Sequence, residues 1–287
     1  MKVSSFTFIR NASHLGYPIV ESIRSVLPIC DEYVVNVGES EDNTLELIKS
    51  IGDPKIRILE TKWNDKMKVK GFVYGQQKTI AHYSCTGDWA FYLEGDEVVH
   101  EDDLQNIYSA MEKNLDNPSV EAMVFDYIHF YRRQDTYIDS PGWYRRAPRI
   151  IRNSLRAYSP DGLFFVVLTS NKKGRYPNAV LANARIFHYG YLKSEDQWRT
   201  KICQVVHYWN QKPHDFSYAD IDPAIIRKFS GTHPAIMKDW LSRNSSELIL
   251  DPNYRLSRRD IRQRLKGKLE KAFNIDLSKK HFKLLER

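Results

Sequence analysis

Apolar positions in the first hundred residues follow two alternating rhythms. Short runs rich in β-branched and aromatic residues, Val3 to Ile9, Tyr33 to Val37, Ile56 to Leu59 and Trp89 to Glu94, predict buried strands. Between them the spacing widens to that of a helix, with Ile19, Ile23 and Val26 or Leu27 recurring on one face of Pro18 to Leu27. Ser40-Glu41-Asp42-Asn43 opens a second helix carrying Leu45, Leu47, Ile48 and Ile51, and acids in its first turn suit the helix dipole. Gly52-Asp53-Pro54 stops that helix, and Gly75 to Ser84 predicts a third. Strands and helices in strict alternation predict an α/β fold around a mainly parallel sheet.

Such sheets bind ligands at the carboxyl ends of their strands. Arg10-Asn11, Gly38-Glu39-Ser40 and Glu94-Gly95-Asp96 all fall at strand ends, so three polar segments are expected on one rim. The third is the most informative, because an aromatic strand runs straight into Glu94, Asp96 and Glu97. Carboxylates inside a sheet meet a large desolvation penalty, so acids in this position are expected to point into a crevice. Glu94 and Asp96 lie two apart on an extended chain, lean to the same side and can share one hard cation. The alternative from this segment alone is an acidic strand-to-helix turn, with Asp96 to Asp103 capping the next helix.

The second half is less regular. Ala122 to Tyr131, Arg149 to Arg152 and Leu163 to Thr169 predict strands, and an Arg- and Tyr-rich stretch runs from Gly142 to Arg146. Ser194-Glu195-Asp196-Gln197 is a capping-box pattern. It opens a helix with Trp198, Ile202, Val205 or Val206, and Trp209 on one face. Thr232-His233-Pro234 starts a shorter helix whose Ile236, Trp240 and Leu241 are core candidates.

Composition narrows the class. With 287 residues, 42% hydrophobic and 28% charged, the chain reads as soluble and globular, one large domain or a domain with an appendage. No apolar run approaches the roughly 18 residues of a spanning helix, and Met1 to Ile9 is too short and polar for a signal peptide. Cys30, Cys85 and Cys203 are isolated, which argues against a disulfide framework and fits a reducing cytoplasm. The net charge of +7 is concentrated at one end: from Arg255 onward twelve Lys/Arg face four Asp/Glu, leaving the rest close to neutral. A continuous basic face for nucleic acid is therefore not expected. Leu256 to Phe273 instead predicts a basic amphipathic helix, with Ile261, Leu265 and Leu269 four apart among Arg258, Arg259, Arg262, Arg264, Lys266 and Lys268. Such a helix suits packing on the body or a partner chain, or peripheral attachment to the inner face of an anionic membrane.

Taken in order, these segments resemble family 2 glycosyltransferases of the GT-A fold. Arg10-Asn11 matches the Lys/Arg-Asn step that ends the family's opening strand, and Gly38 to Thr44 matches its Gly/Ser-rich turn and Asp-x-Thr. Gly87-Asp88-Trp89 through Glu94-Gly95-Asp96-Glu97 resembles the strand leading to the Asp-x-Asp-Glu metal motif. Arg149-Ile150-Ile151-Arg152-Asn153 and Phe187-His188-Tyr189-Gly190-Tyr191 resemble segments of bacterial members. The likeness covers roughly residues 1–200. Two departures stand out: Glu94 replaces the first Asp of the metal motif, and Val37-Gly38 stand where many relatives carry a nucleobase-facing acid, leaving Glu39 as the substitute.

The resemblance implies a Rossmann-like GT-A domain over 1–193, divided into a nucleotide-sugar half (1–118) and an acceptor half (119–193), with a helical extension over 194–287. It implies metal-dependent, inverting transfer from a nucleotide sugar, UDP- or GDP-linked, to a hydroxyl acceptor such as a cell-envelope glycan or lipid-linked molecule. Asp96, Glu94 and His188 would hold Mn2+ or Mg2+. Arg10, Asn11, Glu39, Lys78, Glu94, Arg145 and Arg146 would bind the nucleotide sugar, and Asp161, in the turn Pro160-Asp161-Gly162, would be the base. Two rivals share the sheet and its acids. A nucleotidyltransferase would want a Gly-rich, Arg-containing first loop that this chain lacks, and an inactive relative would bind nucleotide sugar without turnover.

Overall fold

The computed structural model describes residues 1–209, 219–244, 247–248 and 250–285. Strand β1 (Val3–Ile9) is covered on both faces, so its polar residues Ser4, Ser5 and Thr7 are as buried as Val3 and Phe6. Helix α1 (Ile19–Val26) presses Ile19, Ile23 and Val26 onto one face of the sheet. Strand β2 (Glu32–Gly38) returns parallel to β1, and α2 (Thr44–Lys49) leads to β3 (Ile56–Thr61), parallel to β2. Helix α3 (Phe72–Tyr83) precedes β4 (Trp89–Tyr92), which pairs parallel with the other edge of β1.

Alternation along these strands sends side chains to two cores. Val35, Val37, Trp89 and Phe91 join α1 in one, while Phe6, Val34, Ala90 and Tyr92 meet Ala81 of α3 in the other. Each fully buried Val, Ile or Phe contributes about 1.5–3 kcal/mol relative to exposure. Gly75 lets α3 approach the loop behind it, since a Cβ there would stand 2.5 Å from the Ser159 carbonyl oxygen. Helix α3 begins at Phe72, earlier than the expected start at Gly75, and carries that glycine in its first turn.

Beyond β4 the pattern changes. Strand β5 (Glu97–Val99) and helix α4 (Leu104–Lys113) lead into β6 (Ala122–Tyr131), β7 (Arg133–Ile138) and β8 (Arg146–Arg152). Strands β9 (Ala157–Tyr158), β10 (Val166–Ser170) and β11 (Lys173–Arg175) form a small separate sheet. Strand β12 (Asn178–Tyr191) is the longest, with 14 residues, although the sequence displayed only its last five as a motif. After it come α5 (Glu195–Tyr208), β13 (Ile226–Lys228), α6 (Lys238–Asn244), α7 (Arg258–Phe273) and β14 (Lys283–Leu284). The C-terminal extension is thus mainly helical, and it also adds β13 and β14 to the large sheet.

Among the described residues that sheet runs β13-β7-β6-β8-β4-β1-β2-β3, with β12 beside β6 and both β5 and β14 beside β12. The strands β3-β2-β1-β4 form a parallel core, and β8 joins β4 in the antiparallel sense. Strand β12 runs parallel to β6 on one side and antiparallel to β5 on the other. This double pairing places residue 188 between Glu97 and His129, in register with both.

Candidate active site

The ends of β1 and β4, the end of β12, the turn before β10 and helix α5 enclose a cavity of about 660 Å³. That size suits a small-molecule ligand. Arg10 and Asn11 reach it from β1, Glu94 and Asp96 from β4, and His188 and Tyr191 from β12. Asp161 enters from the turn, and Lys201, Gln204 and Tyr208 from α5.

Asp96 is 2% exposed and faces His188, with 3.7 Å between Asp96 Oδ1 and His188 Nε2. The ring nitrogens assign themselves. His129 Nε2 lies 2.8 Å from the Tyr144 carbonyl, which can only accept, so the proton is on that nitrogen. Burial pulls His129 down to about 4, so its Nδ1 carries a lone pair. His188 Nδ1, 3.1 Å away, must then donate to it. The consequence is a neutral His188 whose Nε2 lone pair points at the Asp96 side of the cavity, and burial holds His188 well below its ordinary value against the pull of Asp96. Gly190 keeps the space clear, since a Cβ there would lie 2.6 Å from both Asp96 Oδ2 and His188 Nε2.

This donor pair fits a divalent cation. Two ligands at about 2.1 Å from one ion stand at most about 4.2 Å apart, and the observed 3.7 Å lies inside that limit. No group of three or more His, Cys, Asp or Glu converges among the described residues. Magnesium-type ions are commonly held by one or two protein ligands with the remainder from phosphate and water. Lys201 supplies a positive charge at the same carboxylate, with Nζ 2.8 Å from Asp96 Oδ2. Burial opposes the Lys201 charge, but Asp96, Tyr17 and Tyr191 outweigh it and raise its pKa. Burial likewise works against the Asp96 carboxylate, yet the ammonium of Lys201, hydrogen-bonded to it, holds it well below the usual range.

Glu94 and Glu97 belong to a different constellation. Arg149, 1% exposed, donates from Nη2 to Glu94 Oε1 at 2.7 Å and from Nε to Glu97 Oε2 at 2.8 Å. The Tyr127 hydroxyl donates to Glu97 Oε1 at 2.8 Å. Glu94 reaches the cavity wall, but its carboxylate is committed to Arg149 rather than aimed with Asp96. Burial and the Glu97 charge push the Glu94 carboxyl upward while Arg149 pulls the other way.

The opposite wall is aromatic and tied to α5. Arg10 donates to Asp65 Oδ1 at 3.1 Å and to the Tyr208 hydroxyl at 3.0 Å, and it stands 5.8 Å from the centre of the Trp63 ring. Asn11 takes a left-handed conformation at φ 55°, which an asparagine tolerates, and its side-chain oxygen accepts from the Glu41 amide at 2.8 Å. Asp161 is half-buried, accepts from the Leu163 amide at 3.0 Å, and is raised by burial above the usual carboxylate range.

Four expected ligands do not reach the cavity. Lys78 faces the core beneath it, donating to the Gly162 carbonyl at 3.1 Å with its ammonium 3.8 Å from the centre of the Tyr92 ring, and burial depresses its pKa strongly. Glu39 is exposed and pairs with Lys62 at 3.1 Å. Arg145 is held by Asp139 at 2.9 Å and Glu270 at 2.8 Å, and Arg146 by Asp126 at 2.6 Å. Glu39, Arg145 and Arg146 thus pair away from the cavity, while Lys78 lies directly behind the part of its wall formed by Tyr92 and Gly162. Conversely, His129, Lys193 and Lys201 are absent from the residues expected at the site, and Arg149 figured there only as part of the Arg149–Asn153 segment. Lys193 is fully buried and donates to the carbonyls of Leu15 and, at 2.7 Å, Gly16, pinning the end of β12 to the loop after β1. The one usable signal was Lys201, a lone base beside Trp198 and Ile202 on an otherwise apolar helix face.

Comparison with known proteins gives this geometry a family. Residues 16–172 match the family model described as glycosyl transferase family 2, more than half of the chain. The chain belongs to glycosyltransferase family 2, and its fold is GT-A. An uncharacterised glycosyltransferase of Rickettsia prowazekii (strain Madrid E) is 28% identical over 112 residues, 38% of this chain and 34% of that protein. A counterpart from Rickettsia typhi is 27% identical over 112 residues, with the same coverage. The chain spans about a third of the length of these curated relatives. Among solved structures, S. aureus TarS 1–349 gives a TM-score of 0.40 at 13% identity, covering 72% of this chain and 66% of that one. Glucosyl-3-phosphoglycerate synthase from Mycobacterium tuberculosis, crystallised with Mn2+, UDP and phosphoglyceric acid, gives 0.32 at 17% identity, covering 46% and 43%.

Proposed function

We propose that this protein transfers a sugar from a nucleotide-sugar donor, UDP- or GDP-linked, to a hydroxyl acceptor, with inversion and with the help of Mn2+ or Mg2+. The observation that carries the reading is the pairing of Asp96 with an unprotonated His188 Nε2 at the wall of a ligand-sized cavity. Asp96 and His188 would hold the cation, which when bound offsets the charge that develops on the departing diphosphate. Lys201 adds a second positive charge beside Asp96, suited to the same phosphate oxygens. Arg10, Asn11, Trp63 and Tyr208 form a half-aromatic wall suited to a nucleoside, with Glu94 near the sugar. Asp161 would take the acceptor proton, and its raised pKa makes it a stronger base than an exposed carboxylate. In this reading residues 1–193 form the transferase domain, and the extension closes the cavity through α5. A glycan or lipid-linked molecule of the cell envelope is the acceptor class we favour.

The test is a thermal-shift screen of UDP, GDP and their sugars, with and without manganese, on wild type and Asp96→Asn. A shift that needs metal, favours one nucleotide and disappears in Asp96→Asn is the expected result. Equal, metal-independent shifts in both proteins would remove the cation from the reading, and selectivity for triphosphates would point to nucleotidyl transfer. Asp161→Asn should abolish transfer while donor binding persists; retained turnover ends that assignment.

A further inference from the structure

Helix α7 is mounted in reverse. Amphipathic helices ordinarily bury their apolar stripe against the body, but α7 docks through its polar side. Arg264 makes two hydrogen bonds to Asp222, at 2.8 and 2.6 Å. Glu270 accepts from Arg145 at 2.8 Å and from the Leu277 amide at 2.7 Å. Gln263 and Gly267 lie against Gly142 and Pro141. On the other side Ile261, Leu265, Leu269 and Phe273 are between 40% and 68% exposed, and Ile275 beyond the helix end is also exposed.

This orientation is fixed. Ser257 and Asp260 cap each other's backbone at the start of α7, and Asn274 closes its end in the left-handed conformation. A stripe of four large apolar side chains left in water is a candidate contact surface. Its borders identify the contact. Arg258, Arg262 and Lys268 are exposed alongside it, in a segment with twelve Lys/Arg against four Asp/Glu.

We propose that the outward face of α7 is a docking surface for an anionic lipid bilayer. Apolar residues enter the acyl boundary while the flanking bases meet the headgroups, as in helices that lie in the membrane plane. Two copies meeting through this stripe would bring like charges together, which disfavours self-association. The docking face adjoins the cavity wall: α7 rests on the segment from Pro141 to Arg145, whose Tyr144 lines the cavity. The inference stands on the helix alone and does not depend on which sugar is transferred.

The experiment is co-sedimentation of the full chain with phosphatidylcholine vesicles and with vesicles of equal parts phosphatidylcholine and phosphatidylglycerol, at low and high salt. Binding to the anionic vesicles alone, weakened by salt, is expected. Ile261→Ser/Leu265→Ser/Leu269→Ser and Arg262→Glu/Lys268→Glu should each lower the partition coefficient at least about tenfold, with unchanged melting temperatures because the altered side chains are solvent-facing. Absence of binding, or equal binding to both vesicle types, overturns the proposal. So does a triple-serine variant that binds like wild type, since the apolar stripe would then do nothing. Light scattering that shows a dimer dispersed by the serine substitutions would assign the stripe to a second copy instead.

Discussion

Asp96 and Glu97 are neighbours in the chain, yet they belong to opposite kinds of site. Glu97 is fully buried and all its charge is answered from within, by the Arg149 guanidinium and the Tyr127 hydroxyl. Asp96 is almost as buried, but its partners are Lys201 on a helix and a histidine with a free lone pair. A closed cluster of the first kind fixes the backbone at the end of β4, while an open pair of the second kind retains capacity for a ligand. Burial of an acid alone therefore says nothing about function; the completeness of its partners does.

The sharpest way to break this comparison is Arg149→Met. It strands Glu97 in the core, and loss of one partner of a buried pair costs about 3–5 kcal/mol. Denaturant unfolding should report that loss, and a stability within experimental scatter of wild type would erase the distinction between closed and open clusters. Asp96→Asn removes the counter-charge of Lys201 but keeps an oxygen to accept its hydrogen bond, so it should lower the unfolding midpoint less than Arg149→Met does while lowering transfer by about a hundredfold or more. A smaller effect is expected from His129→Phe, which removes the group that holds the His188 tautomer. Divalent-cation affinity, read by calorimetry, should fall by about ten- to a hundredfold, and unaltered affinity would show that His188 needs no orienting partner.

The smallest effect is a pH dependence at Asp161. Its pKa is raised in the folded chain, so the folded state holds that proton more tightly than the unfolded one. The charged form is therefore the destabilising one: the penalty is absent in acid, where both states are protonated, and grows as pH rises through the folded value. Asp161→Asn should melt slightly above wild type at neutral pH, with the difference closing below about pH 4. A lower melting temperature at neutral pH would mean that the Asp161 carboxylate is supported by its surroundings rather than strained by them.

Much of the fold was legible. Strand β1 spans Val3–Ile9 and β6 spans Ala122–Tyr131, as the β-branched and aromatic runs indicate, and the Ser194 capping box is formed. Local pattern suffices there because the same residues set both the propensity and the burial. Strand β12 was missed over most of its length because Asn, Ala and Arg interrupt it at 182–185, and the register with β6 shifts there. Of the site, Arg10, Asn11, Glu94, Asp96, Asp161 and His188 do line one cavity. His129 carries no local signal, and the segment Arg149 to Asn153 drew notice as a strand and as part of the family resemblance without revealing which acids Arg149 would meet; both residues matter only for what stands opposite them.

Sequence determined the alternating strands and helices, the acids at the end of β4 and the basic, capped helix near the C-terminus, because each depends on residues a few positions apart. Tertiary structure decided the rest. Strand pairing set His188 between Glu97 and His129, Arg149 claimed Glu94 and Glu97 for the core, and Lys201 arrived at Asp96 from 105 positions away. The orientation of α7 was decided in the same way, by ion pairs to Asp222 and Arg145 that turn its apolar stripe outward. Spacing along a chain specifies which face a helix can bury; the partners folded against it select which face it does bury.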